Sequence, residues 1–170
     1  MKVKQNSNGK RLILSESTFQ RIGEILSELV KRSRANLCIF ADMDGYPISH
    51  GGSVDNVDIS IICALAAGTF SATAAMAKEA GGEKKFRFIY QEGERRNAYL
   101  CNVFDDYLMI VLFDKGVTLG LIRILTNQAI SRVQELFNEL KSEKSQVTQF
   151  LDVEFRTLLG KELDKTFGLK

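Results

Sequence analysis

The sequence has little of what most enzyme active sites are built from. It contains one histidine, three cysteines, one proline and no tryptophan among 170 residues. Cys38, Cys63 and Cys101 are far apart and form no Cys-x-x-Cys pair or Cys/His cluster, so a zinc site is not expected. Each cysteine lies within an apolar run, which predicts buried, reduced thiols of a cytosolic protein. No metal or thiol chemistry is therefore expected.

The numbers of basic and acidic residues are nearly equal. The 23 Lys and Arg against 21 Asp and Glu leave a net charge of +2, which argues against nucleic-acid binding. No phosphate-binding GxxxxGK[ST] loop occurs, and no dinucleotide-binding GxGxxG follows a strand. His50 has no Ser/His/Asp signature around it and is expected at a strand end. The composition favours a binding module over an enzyme, and no cofactor is expected.

Hydrophobic periodicity predicts the element order α–β–β–α–β–β–β–α, followed by a tail. Ser17 has Gln20 three residues on, the spacing of a capping box, and a helix is predicted over about 18–33. A hairpin follows, and its turn is Asp42-Met-Asp-Gly45. Aspartate can bond its own backbone there, and glycine can supply a positive φ.

The rest of the chain completes an α+β sandwich. Three strand-like runs are predicted at 86–90, 98–103 and 108–113, and Thr118 can cap the last helix. Antiparallel hairpins around a central helix predict a single five-stranded antiparallel sheet with helices on both faces. The expected organisation is an N-terminal arm (1–16), a domain (17–141), and a linker with a C-terminal amphipathic helix (142–170).

The central helix is the most unusual segment. From Ile59 to Ala77 it carries no charge, and it is just long enough to cross a bilayer, for which the threshold is about 18 residues. Its serines, threonines and alanines make it only borderline apolar, and no Trp/Tyr belt flanks it. We therefore expect no membrane span.

Two faces of this helix are predicted to have different roles. Ile61, Leu65, Ala72 and Met76 share one face and are expected to pack on the sheet. The other face consists of small residues: Ala64, Ala67, Gly68, Ser71 and Ala75. Such a face lets another backbone approach closely and marks an interface. The alternative is that these alanines are only good helix formers on an ordinary surface.

Charged residues cluster at the hairpin that follows. Glu92, Glu94, Arg95 and Arg96 lie within a few positions of one another. They form either a solvated loop or a partner contact, and the latter includes an arginine supplied in trans to a nucleotide site. The sequence does not separate these interpretations.

The element order, the Asp-Met-Asp-Gly turn and the alanine-rich central helix together resemble the Roadblock (dynein light-chain) family. The resemblance covers about 17–140. Within that family the chain is similar to the bacterial MglB-like branch in three motifs: Ala67-Gly68 followed by Ala72-Thr73, Gln91–Arg95, and Leu151–Arg156 in the tail. A plain Roadblock domain ends before the tail motif.

The resemblance implies a homodimer in which the sheets join edge to edge and the central helices pair. It also implies binding to a Ras-like small GTPase of the MglA type and stimulation of GTP hydrolysis, with the dimer repositioning the GTPase's own catalytic residues. Carried over to this chain, the candidates for the dimer and GTPase surface are Ala64, Ala67, Gly68, Ser71, Ala72 and Ala75. Arg95 and Arg96 are the possible partner contacts.

Two other functions remain open. Roadblock domains also serve as non-catalytic scaffolds that localise GTPases or motor and polarity complexes, and the fold alone cannot choose between these roles. A small-ligand sensor is the third possibility, because α+β sandwiches of similar outline bind ligands. A cavity with convergent polar groups would support a sensor, but no such cluster is apparent in the sequence.

Overall fold

The structure is a computed structural model that describes residues 15–55, 57–80 and 86–140. The chain divides into two compact units, Met1–Val133 and Gln134–Lys170. Most of the expected N-terminal arm, and all of the expected C-terminal extension with its tail motif, lie outside the described residues.

Helix α1 (Glu16–Ser33) begins two residues earlier than the capping-box spacing suggests. Its N-cap is Ser15, whose side chain accepts a hydrogen bond from the Thr18 N–H at 3.3 Å. Ser17, the predicted cap, lies inside the first turn, and its hydroxyl is 2.8 Å from that of Ser15. The assignment of the cap to Ser17 is therefore wrong. The helix ends at Ser33, and its C-cap residue Arg34 adopts the left-handed conformation.

Five antiparallel strands form one open sheet in the order β2-β1-β5-β4-β3. The elements after α1 are β1 (Leu37–Asp42), β2 (Pro47–Gly52), α2 (Ile59–Glu79), β3 (Phe88–Gln91), β4 (Arg96–Val103), β5 (Tyr107–Asp114) and α3, which covers 119–140 of the described residues. The α+β architecture expected from the sequence is confirmed. Strands β2 and β3 form the two open edges.

The two faces of the sheet are covered by different helices. Leu37, Ile39 and Ala41 of β1 share a core with α2. Their neighbours Cys38 and Phe40 point to the opposite face, because successive side chains of a strand alternate. Gly51 pairs with Cys38 and lies against the backbone of α1, which places α1 on that second face. All six residues of β1 are buried, as a strand covered on both faces requires.

The turn between β1 and β2 positions the start of α2. The Tyr46 N–H donates to Asp42 Oδ1 at 2.8 Å, and Gly45 has a φ of 86°, so the turn predicted at Asp42–Gly45 is confirmed. A Cβ on Gly45 would lie 2.7 Å from Ala64 Cα. The turn and the first half of α2 are thus in direct backbone contact, which only glycine permits.

Replacing Gly51 by alanine is expected to destabilise the fold by about 1–3 kcal/mol, the usual cost of overpacking. The added Cβ would lie 2.5 Å from the Ser27 N and 2.8 Å from its Cα, and backbone atoms cannot move aside without shifting α1. Gly120→Ala is the matched control, because its Cβ would meet no described residue outside the local backbone of its helix within 4 Å. Urea denaturation measures both variants, and equal midpoints would contradict the close approach of β2 and α1.

Candidate functional site

Helix α2 packs on the sheet through the side that carries mostly short side chains. Its buried residues are Cys63, Ala66, Ala67, Phe70 and Ala77. Apart from Phe70 these side chains are short, so the helix axis lies close to β1 and β5. The contact of Gly45 with the Ala64 backbone shows the same close approach at the end of the sheet.

The large apolar residues of α2 face away from the sheet. Ile61, Leu65 and Met76 are 57%, 66% and 56% exposed, and Ala72 is exposed beside them. The prediction that these four residues pack on the sheet is wrong. The helix is apolar on all sides, so the hydrophobic pattern could not determine which side is buried.

The small residues that were predicted to form an interface lie on both sides of α2, the side buried on the sheet and the exposed side. Ala67 is 7% exposed and belongs to the sheet core, so it contributes nothing to the surface of this chain. The other five are exposed and lie among the large apolar residues. We use the term α2 face for Ile61, Ala64, Leu65, Gly68, Ser71, Ala72, Ala75 and Met76. Sequence reasoning missed its three largest members.

The spacing of this face is that of a helix-pairing seam. Ile61, Leu65, Gly68 and Ala72 follow one another at steps of four, three and four residues, the alternation that places side chains along the contact line of two helices. A Cβ on Gly68 would meet no described residue outside the local helix backbone within 4 Å, so the described part of the chain leaves the surface above it open. This alternation is the sequence signal that could have identified the exposed side.

Hydroxyl groups near the α2 face already have hydrogen-bond partners within the helix. Ser71 Oγ donates to the Ala67 carbonyl at 3.1 Å, and Thr69 Oγ1 donates to the Leu65 carbonyl at 2.8 Å. Covering a polar group is costly mainly when it loses its hydrogen bond, and these bonds lie within the helix itself. The face can therefore be buried by a partner at little polar cost, as an interaction surface requires.

Helix α2 is also the one helix among the described residues that is long and apolar enough to cross a membrane by length and composition. Its buried side packs on an open sheet with unpaired edges, which a hydrocarbon environment does not accommodate. The exposed face thus fits a protein contact better than a transmembrane position.

The candidate arginines lie at the β3–β4 hairpin beside a sheet edge. Arg96 Nε is 3.7 Å from Asp114 Oδ1, and both side chains are largely exposed. Arg95 is exposed and forms no ion pair within the described ranges. Among the described strands, the neighbouring edge strand β3 has a partner on one side only. Arg95 is therefore the arginine that is available to a partner.

The chemistry of a catalytic site is not assembled in the part of the chain that the structure describes. No group of three or more His, Cys, Asp or Glu residues there could hold a metal ion. All three cysteines are buried thiols without a disulfide, as predicted. Burial raises the pKa of Cys101 to about 12 and also raises that of Cys38. These two thiols stay protonated near neutral pH and are poor nucleophiles.

The folded chain is expected to react with iodoacetamide at pH 8 at least about 100-fold more slowly than the chain in guanidinium chloride, because buried thiols react only through opening of the structure. Mass spectrometry counts the modified cysteines. Ser131→Cys places a thiol at an exposed position of α3 and should react at once. Rapid labelling of Cys63 or Cys101 in the folded chain would contradict the burial of these thiols.

Comparison with known proteins points to one family. The sequence matches the model of the Roadblock/LC7 domain over residues 21–113. The structure is similar to that of Myxococcus xanthus MglB, with a TM-score of 0.69 and 29% identity over 76% of this chain and 96% of that one. Among curated proteins, no sequence matches at a significant level.

Two further MglB structures share the fold. One is described as MglB with a tetrameric arrangement, and it has a TM-score of 0.69 and 23% identity over 80% of this chain and 98% of its own. The other is the gliding protein MglB of Thermus thermophilus, with a TM-score of 0.69 and 24% identity over 80% of this chain and 99% of its own.

Proposed function

The chain belongs to the Roadblock/LC7 family, and we propose from this that it is a homodimeric, MglB-like regulator of a Ras-like small GTPase of the MglA type. It stimulates GTP hydrolysis without supplying a catalytic residue. It acts in the cytoplasm, in a bacterial polarity or motility system, as the MglB resemblance implies.

The observation that carries the proposal is the α2 face. Three large apolar side chains and five small residues form an uncharged surface along one side of a helix. Pairing of two α2 helices would cover Leu65 and Met76, and the open position above Gly68 would let the backbones approach. Joining of two β3 edges would give the unpaired strand groups hydrogen-bond partners. The pairing of the α2 helices and the joining of the β3 edges would together form a two-fold symmetric dimer.

Stimulation by such a dimer requires only selective binding. A protein that binds the hydrolysis-competent conformation of a GTPase more tightly than the resting one shifts the population toward it. A difference of about 4 kcal/mol corresponds to roughly a thousandfold acceleration. The proposed mechanism therefore agrees with a surface that offers shape and apolar contact and few reactive groups.

Single-turnover GTP hydrolysis by an MglA-type GTPase, with and without the full chain, tests the proposal. A large acceleration that increases with the concentration of the chain supports the activator. Binding to the GTP form without acceleration would favour the alternative, a scaffold that localises a GTPase or a motor or polarity complex. Absence of both binding and acceleration would contradict a role toward this class of GTPase.

Gly68→Arg is expected to leave the fold intact and to abolish GTPase binding. A Cβ at this position would meet no described residue outside the local helix backbone within 4 Å, but the arginine would place a charged group in the middle of the α2 face. Gly120→Arg is the matched control, since it adds the same side chain at an equally open position of α3. Circular dichroism measures whether the fold is intact, and binding isotherms measure the affinity for the GTPase. Normal GTPase binding by Gly68→Arg would contradict the assignment of the α2 face as the binding surface.

Arg95→Ala is expected to keep the stimulated hydrolysis rate within about threefold of the original, because the GTPase's own residues carry the chemistry. An arginine that enters the nucleotide site would instead contribute about 10³–10⁵ to the rate. Arg96→Ala removes an arginine already paired with Asp114 and serves as the control. If Arg95→Ala loses most of the stimulated single-turnover rate and Arg96→Ala does not, this chain supplies Arg95 to the nucleotide site.

A further inference from the structure

A cavity of about 440 Å³ lies between α3 and the strands β3 and β4. Tyr99 contributes to its wall, whereas the adjacent Leu100 belongs to the core under α2. Because neighbouring side chains of a strand point to opposite faces, the cavity lies on the side of the sheet away from the α2 face. It is thus on the opposite side of the sheet from the α2 face, and through Phe88 it borders the β3 edge that the proposed dimer would join.

Two arginines converge on this cavity from different elements. Arg87 precedes β3, and Arg123 comes from the first turns of α3. Neither guanidinium forms an ion pair with any residue of the described ranges. The Arg123 guanidinium carbon lies 4.8 Å from the centroid of the Phe88 ring, and this stacking holds it in place. Asp105 supplies one carboxylate to the lining, so positive charge is in excess.

The other lining groups suit a ligand that accepts hydrogen bonds. The side-chain amide of Asn127 makes no hydrogen bond with the described residues and offers a donor. The Cys101 thiol donates to the Met109 carbonyl at 3.7 Å and is occupied. The aromatic side chains of Phe88 and Tyr99 also line the wall, together with Asn102 and Ile130. A cavity of this size, in which polar groups converge beside aromatic walls, is typical of small-molecule sites.

We propose that this cavity, named here the Arg87–Arg123 pocket, binds a small organic phosphate monoester. A phosphate monoester carries a charge of about −1.5 to −2 at pH 7, which two guanidiniums without an ion pair among the described residues balance. The planar fork of arginine matches phosphate oxygens in a bidentate manner. The remaining volume holds the organic part of the ligand against Phe88 and Tyr99. The inference stands on the pocket alone and does not depend on the proposed GTPase.

Isothermal titration of the full chain tests the pocket with two phosphate esters, adenosine 5′-monophosphate and ribose 5-phosphate. Adenosine, ribose and inorganic phosphate are the reference probes. We expect at least one ester to bind with a dissociation constant below about 1 mM, and at least about tenfold more tightly than inorganic phosphate or the unphosphorylated compounds.

Arg87→Gln and Arg123→Lys should each weaken ester binding at least about tenfold. The lysine variant keeps the charge over Phe88 and loses the bidentate fork, so a purely structural effect of Arg123 is separated from recognition. Arg32→Gln removes the same charge from an exposed position of α1 that is not part of the pocket lining, and it should bind the ester normally. Thermal denaturation verifies that each variant is folded.

Three results would overturn the proposal. The first is that neither ester binds at millimolar concentration. The second is ester binding that the two pocket variants leave unchanged, which would indicate an adventitious ion site only. The third is equal binding of inorganic phosphate and the esters, which would assign the pocket to the free anion and exclude an organic ligand.

Discussion

The structure depends on the close contact of α2 with the sheet. Cys63, Ala66 and Ala67 are short enough for the helix to lie directly on β1 and β5. Gly45 permits the turn between β1 and β2 to touch the helix backbone at Ala64. Once these small residues occupy the buried side, the large apolar residues of the same helix can only face outward. The exposed surface is therefore a consequence of how the core is packed.

The two sides of the sheet offer different chemistry to partners. On one side, the α2 face is uncharged, and the hydroxyls of Thr69 and Ser71 are already bonded to the helix, so a second polypeptide can cover it. On the other side, Arg87 and Arg123 present positive charge at a cavity, and neither forms an ion pair in the part of the chain that the structure describes. The proposed regulator would use one side for protein contact and the other for a small ligand. This arrangement needs no catalytic residue on the chain itself.

Much of the architecture was predictable because it is encoded locally. The order of the elements follows from hydrophobic periodicity, and the turn at Asp42–Gly45 follows from the backbone preferences of aspartate and glycine. The orientation of α2 was not predictable from its pattern, because Ile61 and Leu65 on one side and Phe70 on the other are all apolar. The Arg87–Arg123 pocket could not be predicted either, since its arginines are separated in sequence and meet only in the folded chain.

The central claim is that the α2 face is covered by a second copy of the chain. The accessibility of Met76 to an oxidant tests this claim directly. The rate of its oxidation by hydrogen peroxide should be measured by peptide mapping over a range of protein concentrations. Met109, which is fully buried in the sheet, is the internal reference. We predict that oxidation of Met76 slows toward the rate of Met109 as the concentration rises. Oxidation at the rate of a fully exposed methionine at every concentration would contradict the claim.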